Sequence, residues 1–370
     1  MTLYLGLMSG TSMDSIDAAL LEIGPLRMQV RAAAARPWPA ELQLRLRRAA
    51  EDSERLGLTE FGELDTAVGR EFAQAAEQLL HSAGVTAAAV RAIGSHGQTV
   101  LHRPRGKAPF TLQLGDPNLI AERLGIDVVA DFRRRDIAAG GEGAPLMPAF
   151  HAAAFGSAGE TRAVINIGGM ANVTLLAADD SVIGFDTGPG NCLLDSWARR
   201  HLGQSYDANG AWAAAGTVDA TLLERLLAEP YFARPPPKST GRETFSDAWL
   251  QLALAGRSPA PVDVQATLAE LTAVTIARAL RSADGAEPQC VYLCGGGAFN
   301  GELLRRIGRA LPKARVTTTA EYGIAAEHVE AAGFAWLAHR YLTGQPGNLP
   351  AVTGARHPVP LGALYRGRTL

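Results

Sequence analysis

The sequence predicts an α/β protein made of two similar halves, and three observations lead to this prediction. Short apolar segments typical of β-strands alternate with longer segments of helical periodicity, a pattern that favours mostly parallel sheets covered by helices. A strand, a glycine-containing turn and a second strand open the chain, and the same order recurs about 155 residues later. The length of 370 residues also exceeds what one hydrophobic core usually holds.

The first half is predicted to begin with a hairpin, followed by two helices and two further strands. Leu42, Leu44 and Leu46 leave the first helix ambiguous, whereas apolar residues between 61 and 79 recur at helical spacing. The hairpin strands are expected at residues 2–8 and 16–23, the helices at 40–56 and 59–83, and the later strands at 90–95 and 127–131.

The second half is predicted to start after a glycine-rich linker at residues 156–159. We therefore expect an N-terminal lobe at residues 1–160 and a C-terminal lobe at 161–370, whose last helix and tail pack back toward the first lobe. A stiff proline-rich stretch occupies residues 234–242. Strands are expected at 163–167, 173–177, 182–185, 289–293 and 316–319, and helices at 192–201, 217–228, 244–255, 262–282, 301–310 and 325–341.

Composition restricts the function classes. The formal net charge is −2 at pH 7, so no overall positive field attracts nucleic acid or an anionic membrane. Three cysteines are too few for a disulfide framework and favour a reducing compartment. The N-terminus has no basic stretch before its apolar residues, and glycine or proline interrupts the longest uncharged segments. We therefore expect a cytoplasmic protein without a secretory leader or membrane-spanning helix.

The first hairpin turn is a candidate phosphate site. Glycine lets the backbone approach a phosphate closely, and successive amides with hydroxyls form a concave anion site. A carboxylate repels phosphate unless a divalent cation lies between them, so Asp14 indicates a Mg²⁺-bound phosphate. An ordinary polar hairpin turn is the alternative interpretation. The candidate residues are Gly10, Thr11, Ser12, Met13, Asp14, Ser15, Ile16 and Asp17.

Two further glycine turns follow predicted strands in the second half. The first of them matches the opening turn in position, so that two turns could hold one polyphosphate. The second lies between a strand and a helix, where ligands bind in doubly wound sheets, although tight packing is its alternative explanation. Asn300 breaks the dinucleotide-binding fingerprint, and the sequence contains no P-loop motif. The candidate glycines are Gly168, Gly169, Gly295, Gly296 and Gly297.

Two carboxylates are candidates for proton chemistry. Asp186 precedes a Gly-Pro-Gly turn at the end of a predicted strand, where a general base for an attacking hydroxyl or water is well placed. Capping of that turn is the alternative role. Glu330 lies in a mostly apolar helix, so burial or a hydrogen bond is expected to perturb it. A plain surface position is the alternative for Glu330.

Further polar residues are candidates for binding a substrate. His96 follows a predicted strand and could donate a hydrogen bond to substrate, or could be a structural histidine. Asp131, Arg133 and Asp136 could bind a polar substrate, because a guanidinium matches a carboxylate in shape. A solvated cluster of salt bridges is the alternative for these three residues.

Taken together, eight segments in this order resemble the anhydro-N-acetylmuramic acid kinases. The resemblance extends from about residue 3 to residue 342, which is nearly the whole chain. The segments are MSGTSMD at residues 8–14, SHGQT at 95–99, GDPN at 115–118, DFRR at 131–134, NIGG at 166–169, FDTGPGN at 185–191, PPKSTGR at 236–242 and CGGGA at 294–298.

The resemblance implies a fold, cofactors and a reaction. The fold would be the two-lobed actin-like ATPase (ribonuclease H-like) fold, with duplicated α/β domains and mixed sheets around a central cleft. The cofactors would be ATP and Mg²⁺. The reaction would convert 1,6-anhydro-N-acetylmuramic acid, ATP and water into N-acetylmuramic acid 6-phosphate and ADP, a step of peptidoglycan recycling.

The resemblance also implies roles for the candidate residues. Asp186 would deprotonate the water that opens the anhydro ring at C1, and Glu330 would help to hold that water. The nucleotide phosphates would lie on residues 10–17, with Mg²⁺ near Asp14, and the glycine turns at 168–169 and 295–297 would complete the site. The expected substrate-binding residues are His96, Asp131, Arg133 and Asn166.

Two residues depart from the family pattern. Ser15 stands where glycine is expected, and a positive φ at this residue would cost about 1 kcal/mol and weaken ATP binding. Glu142 stands where glutamine is expected and adds a negative charge near an anionic substrate.

Two other function classes remain open at this point. A nucleotide-gated binding protein of the chaperone or cytoskeletal kind would need another domain or a polymerising surface, but only a short tail follows the last predicted helix. A metal-dependent carbamoyl-transfer or protease-like branch of the same fold would need His-x₃-His sites, which the eight histidines do not form. The expected partners are ATP and an anhydro-amino-sugar, and the sequence leaves a homodimer open.

Overall fold

The chain folds into two compact units, each containing a β-sheet and helices. The computed structural model describes residues 1–25, 27–284 and 287–367. Unit 1 comprises the described residues within 1–154, 322–324 and 328–370, and unit 2 comprises those within 155–321 and 325–327. The prediction of an α/β protein is therefore confirmed.

Strands and helices alternate along the described part of the chain. The strands are β1 (Thr2–Ser9), β2 (Ser15–Ile23), β3 (Met28–Pro37), β4 (Val90–Arg103), β5 (Phe110–Leu114), β6 (Val128–Ala130), β7 (Arg162–Ile167), β8 (Met170–Leu176), β9 (Val182–Pro189), β10 (Cys290–Cys294), β11 (Arg315–Thr318) and β12 (Ala363–Tyr365). The helices are α1 (Ala40–Glu51), α2 (Leu58–Ala83), α3 (Pro117–Leu124), α4 (Phe132–Ala138), α5 (Met147–Phe155), α6 (Cys192–Leu202), α7 (Ala211–Ala215), α8 (Ala220–Leu227), α9 (Pro230–Ala233), α10 (Asp247–Leu254), α11 (Pro261–Asp284), α12 (Gly301–Ala310), α13 (Val329–Leu342) and α14 (Pro350–Thr353).

The sheet of unit 1 is mixed, with the strand order β3-β2-β1-β4-β6-β12. The pairs β1–β2 and β2–β3 are antiparallel, whereas β1–β4 and β4–β6 are parallel. Parallel neighbours need a crossover connection, and α1 with α2 and then α3 provide it. At the ends of the sheet, β12 pairs antiparallel with β6, and β5 pairs with the second part of β4.

The sheet of unit 2 repeats this arrangement with the order β9-β8-β7-β10-β11. Here β7–β8 and β8–β9 are antiparallel, and β7–β10 and β10–β11 are parallel. In both units a three-stranded antiparallel meander is therefore followed by two parallel strands on the other side of the first strand. This shared order confirms the prediction that two similar α/β units with mixed sheets follow one another in the chain.

Helix α13 lies directly against the sheet of unit 1, where it contacts β1, β2 and β4. Two glycines make this approach close enough for backbone to meet backbone. A Cβ atom at Gly6 would overlap the carbonyl oxygen of Ala331, and one at Gly94 would overlap that of Phe334. The position of α13, and of Glu330 in its first turn, is therefore determined by the sheet.

The division of the chain differs from the predicted lobes in two places. The first continuous part of unit 1 ends at residue 154 instead of 160, within α5. The described residues from 328 onward, which the sequence places in the C-terminal lobe with the last helix and tail packing back toward the first lobe, belong to unit 1. The physical reason is that α13 packs on the sheet of unit 1 and β12 extends that sheet through its pairing with β6.

Helices α1 and α2 pack in a core cluster with β1 and β2 of unit 1. Leu42 and Leu46, which are four residues apart, are buried in this core, while Leu44 is 51% exposed. Burial of residues four apart is the pattern of one helix face. The ambiguous leucines therefore belong to a helix. In the core of unit 2, the long helix α11 contacts α6, α7, α8 and α12. None of the described helices has the length and apolar character needed to cross a lipid bilayer.

Candidate active site

The first hairpin turn, between β1 and β2, is held in place by side-chain amides from two other elements. Gln43 on α1 donates from Nε2 to the carbonyl oxygen of Met13 at 2.7 Å. Gln98 on β4 donates from Nε2 to the carbonyl oxygen of Gly10 at 3.3 Å. The turn itself is closed by the Met13 amide, which donates to Gly10 O at 3.1 Å. The backbone of the turn is thus fixed from outside.

The strained residue of this turn is Met13, whose φ is 55° and whose side chain is buried. Ser15 is the first residue of β2 and has no positive φ, so the strain predicted at Ser15 is wrong. Its backbone carbonyl instead accepts a hydrogen bond from Ser9 Oγ at 2.8 Å, and its own Oγ donates to Asp17 Oδ1 at 2.9 Å. A serine therefore fits this position as part of the strand.

Thr11, Ser12 and Asp14 present their side chains to solvent at the tip of this turn. The Asp14 side chain is 73% exposed, and Arg47 Nη2 lies 3.8 Å from its Oδ1. Among the residues that the structure describes, no group of three or more His, Cys, Asp or Glu side chains could hold a metal ion. A single exposed carboxylate still fits Mg²⁺, because nucleotide phosphates and water supply the remaining ligands of that ion.

A buried polar cluster lies beside the first turn of α13 in unit 1. Strand β4 continues to Arg103, so His96 lies within the strand, and the sequence-based placement at a strand end is wrong. The Nδ1 atom of His96 lies 2.8 Å from Gly97 O, and Arg133 donates from Nε to its Nε2 at 2.9 Å. A guanidinium only donates, so the hydrogen of this imidazole is on Nδ1. Both ring nitrogens have protein partners, which favours a structural role in orienting Arg133.

Charges within this cluster perturb one another. Burial and the nearby Arg133 charge keep the pKa of His96 well below its usual value, so the ring is neutral at physiological pH. Burial lowers the pKa of Arg133 to about 10, and the negative charges of Glu330 and Asp136 partly offset this decrease. Burial raises the pKa of Glu330, Arg133 opposes that shift, and Asp17 adds to it. The structure therefore brings His96, Arg133, Glu330 and Asp17 into one electrostatic neighbourhood.

Asp131 follows β6 in a left-handed conformation, with φ 63°. Its Oδ2 accepts a hydrogen bond from the Tyr365 hydroxyl at 3.4 Å and lies 3.5 Å from Arg134 Nη1. Glu142, the second departure from the family pattern, forms an ion pair with Arg105 at 2.7 Å. The added negative charge at Glu142 is thus compensated within the chain.

Asp136 has a structural role instead of the substrate contact that the sequence left open. Its carboxylate is fully buried and accepts hydrogen bonds from Gly143 N at 2.8 Å, Asn348 Nδ2 at 2.7 Å and Thr353 Oγ1 at 2.9 Å. Arg133 Nη1 donates to the carbonyl oxygen of the same Gly143 at 2.8 Å. Asp136 therefore ties the glycine-rich loop and the C-terminal segment to the helix that carries Arg133.

The second hairpin turn, between β7 and β8, is held by backbone groups and by the Asn191 side-chain amide, which donates from Nδ2 to Ile167 O at 3.1 Å. The carbonyl oxygen of Gly169 accepts hydrogen bonds from the amides of Gly190 at 2.9 Å and Cys192 at 3.1 Å. The carbonyl oxygen of Gly168 accepts from the Asn191 amide at 2.8 Å. A Cβ atom at Gly190 would overlap Gly168 O, so this contact requires glycine. The turn is therefore fitted to the start of α6.

The three consecutive glycines after β10 serve two purposes. Gly295 has a φ of 74°, and a Cβ at this residue would overlap Asn166 Oδ1. A Cβ at Gly297 would overlap the side chain of Ile167. Gly296 is exposed and has room for a side chain. Tight packing therefore accounts for the need for glycine at the first and third positions, and Gly296 is the most exposed of the three.

Asp186 lies in a row of residues that crosses the sheet of unit 2. It pairs with Asn172 on β8, which pairs with Asn166 on β7, which pairs in turn with Cys294 on β10. Strand β9 continues to Pro189, so Asp186 lies within the strand, not at its end as the sequence predicted. The hairpin turn at 168–169 and the glycines at 295–297 follow this row on β7 and β10.

The segment between α9 and α10 covers Asp186. The Thr240 amide donates to Asp186 Oδ2 at 3.0 Å, and the Asp186 amide donates to Lys238 O at 3.1 Å. The Tyr231 hydroxyl donates to the backbone carbonyl of Asp186 at 2.8 Å. Burial raises the pKa of the Asp186 carboxyl, and the hydrogen bond from Thr240 opposes this shift. A partly buried carboxylate with a raised pKa is suited to accept a proton near neutral pH.

Sequence reasoning missed the residues that hold Asp186 and the first turn. Thr240 and Tyr231 bind Asp186 across 54 and 45 positions of the chain, and no periodicity relates residues so far apart. The local signal is the PPKSTGR segment, which contains Thr240 and resembles a family motif. The predicted residues thus form one group in unit 1, around Glu330 and the first turn, and another in unit 2, around Asp186.

Comparison with known proteins identifies the family. The sequence profile described as "Anhydro-N-acetylmuramic acid kinase" matches residues 2–367. The chain is 52% identical over 366 residues to the anhydro-N-acetylmuramic acid kinase of Xanthomonas campestris pv. campestris (strain 8004), covering 98% of this chain and 97% of the relative. It is 50% identical over 366 residues to the protein of the same name from Coxiella burnetii (strain RSA 331 / Henzerling II), with the same coverage.

These matches bear on the classes that the sequence left open. Each extends over nearly the whole of both chains, so it includes the first turn, the buried cluster of unit 1 and the Asp186 row. The relatives are named as kinases, not as chaperones, cytoskeletal proteins or metal-dependent transferases. The chain belongs to the anhydro-N-acetylmuramic acid kinase family.

Proposed function

We propose that this protein uses ATP and water to convert 1,6-anhydro-N-acetylmuramic acid into N-acetylmuramic acid 6-phosphate and ADP, as a step of peptidoglycan recycling. The observation that carries the proposal is the environment of Asp186 in a chain of this family. Its carboxylate is partly buried, has a raised pKa and is oriented by the Thr240 amide through one oxygen only. ATP as phosphoryl donor and a reducing compartment both favour the cytoplasm as its location.

Asp186 acts as the general base in this reaction. Among the described residues, no donor binds its Oδ1, which is therefore open to a water molecule. The water oxygen attacks C1 of the sugar, its proton passes to Asp186, and the C1–O6 bond breaks. The released O6 then attacks the γ-phosphorus of ATP, and ADP leaves. The proton on Asp186 returns to solvent, which balances the reaction.

The cluster of unit 1 binds the polar groups of the sugar and the water. Arg133 is held by His96 and Gly143 O, and its planar guanidinium matches the lactyl carboxylate of the substrate. Glu330 binds the attacking water, for which a carboxylate with a raised pKa is a suitable acceptor. Asp131 and Asn166 provide further polar contacts to the sugar.

The first turn binds the phosphates of ATP. Thr11 and Ser12 present hydroxyl groups, and residues 10–17 present a backbone fixed by Gln43 and Gln98. Asp14 is the carboxylate that would hold Mg²⁺, directly or through water. When bound, Mg²⁺ neutralises charge that develops on the phosphoryl oxygens. Gly168, Gly169 and the exposed Gly296 present backbone to the same nucleotide.

An isotope experiment tests this function. The protein is incubated with ATP and the anhydro-sugar in H₂¹⁸O, and the products are analysed by mass spectrometry. The mechanism predicts one ¹⁸O atom at C1 of the phosphosugar and none in its phosphate, because water attacks carbon and the sugar oxygen attacks phosphorus. ADP formation should require the sugar.

Three outcomes would contradict the proposal. Absence of a phosphosugar removes the assigned substrate. Labelled inorganic phosphate without label at C1 of the sugar shows that water attacks phosphorus instead of C1. ADP formation that is independent of the sugar would instead support a nucleotide-gated binding protein.

A further inference from the structure

The segment at residues 234–245, which we call the strap, is fastened to unit 2 beside Asp186. Besides the contacts of Lys238 O and Thr240 N with Asp186, the Lys238 ammonium donates to the carbonyl oxygens of Tyr231 at 3.3 Å and Phe232 at 3.2 Å. That ammonium also lies 4.8 Å from the centre of the Tyr231 ring. Burial lowers the pKa of Lys238. Lys238 therefore fastens the strap and is not available to bind a phosphate.

Two residues beyond Thr240, the strap places Arg242 at the second hairpin turn. A Cβ atom built on Gly169 would lie 3.4 Å from Arg242 Nη2 and 3.7 Å from its Nε. The Arg242 side chain is exposed, and within the described part of the chain it makes no hydrogen bond and no ion pair. An exposed guanidinium beside a bare glycine backbone is a suitable site for an anion.

The neighbours of Arg242 do not neutralise it at close range. The positive charge of Arg242 acts to lower the pKa of Asp195 and of the Cys192 thiol. Burial raises the pKa of Asp195 to about 6, with Arg199 and Arg242 opposing the shift. Burial raises the pKa of the Cys192 thiol to about 11, so the thiol is uncharged at neutral pH. The Arg242 guanidinium is therefore exposed beside the turn and has no ion pair among the described residues.

The second turn needs a positive charge from outside itself. Neither residues 166–172 nor residues 186–192 contain a lysine or arginine. The amides of Gly190, Asn191 and Cys192, which lead into α6, already donate to Gly168 O and Gly169 O, so these three amides are not available to a phosphate. A polyphosphate at this turn would meet neutral backbone unless a side chain supplied charge, and Arg242 is the cation placed there.

We propose that Arg242 binds the terminal phosphoryl group of ATP and stabilises its charge during transfer to the sugar. The proposal rests on the function proposed above. The terminal group is favoured over the inner phosphates because Arg242 and the Thr240 amide that orients Asp186 are two residues apart on the same strap. Phosphoryl transfer places its charge on the equatorial oxygens of that group, and a fork-shaped guanidinium binds two such oxygens.

The test compares Arg242→Gln with Arg242→Lys and with the control Arg234→Gln. Arg234 lies on the same strap but stacks on Tyr231 at 5.8 Å, so its loss leaves the second turn unchanged. Equilibrium binding is measured for ADP and for the non-hydrolysable β,γ-imido analogue of ATP, together with steady-state turnover. For Arg242→Gln we expect kcat/KM for ATP to fall by about 10²–10³-fold. Affinity for the ATP analogue should fall by about tenfold or more, while ADP affinity changes by less than about threefold.

Two further measurements distinguish direct contact of Arg242 with the phosphate from a purely structural role of Arg242. Arg242→Lys should recover only part of the activity, because an ammonium cannot bind two oxygens in one plane. Adding guanidinium ion at millimolar concentration should partly restore Arg242→Ala, which a purely structural defect would not allow. Melting temperatures of all variants are measured alongside.

The proposal is overturned if Arg242→Gln turns over as the wild type does, or if it weakens ADP and the ATP analogue equally. It is also overturned if guanidinium fails to restore Arg242→Ala that melts at the wild-type temperature. A wild-type protein that forms no phosphosugar contradicts the proposed function instead, so the two failures are distinguishable.

Discussion

The two hairpin turns occupy the same position in their units, between the first and second strands, yet they are held in different ways. The first turn is fixed by the side-chain amides of Gln43 and Gln98, which bind its carbonyl oxygens. The second turn is fixed by three backbone amides at the start of α6. The first presents hydroxyls and a carboxylate to solvent, whereas the second presents bare glycine with a neighbouring arginine.

This difference shows that the two units share the position of the turn but not its chemistry. A turn held by side chains can change one supporting residue at the cost of one hydrogen bond. The second turn tolerates less change, because its backbone contacts leave no room for a side chain. A methyl group at Gly190 would overlap the carbonyl oxygen of Gly168. The first turn suits a phosphate bridged by a cation, and the second suits direct contact with an anion.

The largest expected effect comes from replacing Asp186, the proposed base in unit 2, and the matched replacement is that of Asp14 in the first turn. Asp186→Asn removes the proton acceptor, so kcat should fall by about 10²–10⁴-fold while ADP affinity is retained. Asp14→Asn, the matched change in the first turn, should mainly raise the Mg²⁺ and ATP concentrations needed for half-saturation. Steady-state kinetics measures both. Near wild-type turnover of Asp186→Asn would remove its assignment as base.

A second pair of variants tests how the turns are held. In Gly190→Ala the new methyl group meets Gly168 O, so we expect the free energy of unfolding to fall by about 1–3 kcal/mol. In Gly10→Ala the nearest atom is Ser12 Oγ at 3.9 Å, so stability should change by less than about 0.5 kcal/mol. Denaturant unfolding measures both changes. Equal losses in the two variants would contradict the distinction between the turns.

The pH profile tests the environment of Asp186. A base works only when ionised, so activity is present above its pKa and is lost as pH falls through it. Because burial raises that pKa, the acid limb of kcat/KM should lie at higher pH than for an ordinary aspartate. Thr240→Pro removes the amide that stabilises the ionised form and should move the limb further up in pH. Thr240→Ala keeps the amide, and a shift as large as that of Thr240→Pro would refute this explanation.

The smallest effect concerns the support of the first turn. Gln43→Ala removes the hydrogen bond to Met13 O and should lower the free energy of unfolding by about 1 kcal/mol. Gln251→Ala, at an exposed position of α10, is the control and should change it by less than about 0.5 kcal/mol. Denaturant unfolding again measures the change. No difference between the variants would show that Gln43 does not support the turn.

Much of the fold was predictable because its signals are local. The opening hairpin, its repetition in unit 2 and the long amphipathic helix α2 follow from periodicity and turn residues. Strand β3 was missed because its sequence contains four consecutive alanines, which favour a helix in isolation. It is a strand because it pairs with β2 along its whole length, and this tertiary pairing overrides local propensity.

The site was predictable only as far as residue type carries chemistry. Asp186, Glu330 and Arg133 were candidates because carboxylates and a guanidinium suit the reaction. Their environment depends on residues distant in sequence, such as Thr240 for Asp186 and His96 for Arg133, 37 positions apart. The placement of Arg242 beside Gly169 follows from the path of the strap, which no local pattern encodes.

The contact of α13 with the sheet of unit 1 brings together residues that are far apart in the sequence. Because Gly6 and Gly94 place two strands against the backbone of the helix, no deformable side chain separates them. A single added methyl at either glycine would displace the helix and the Glu330 carboxylate at its start. Substitutions near the N-terminus of the chain are thereby constrained by the position of the Glu330 carboxylate close to its C-terminus.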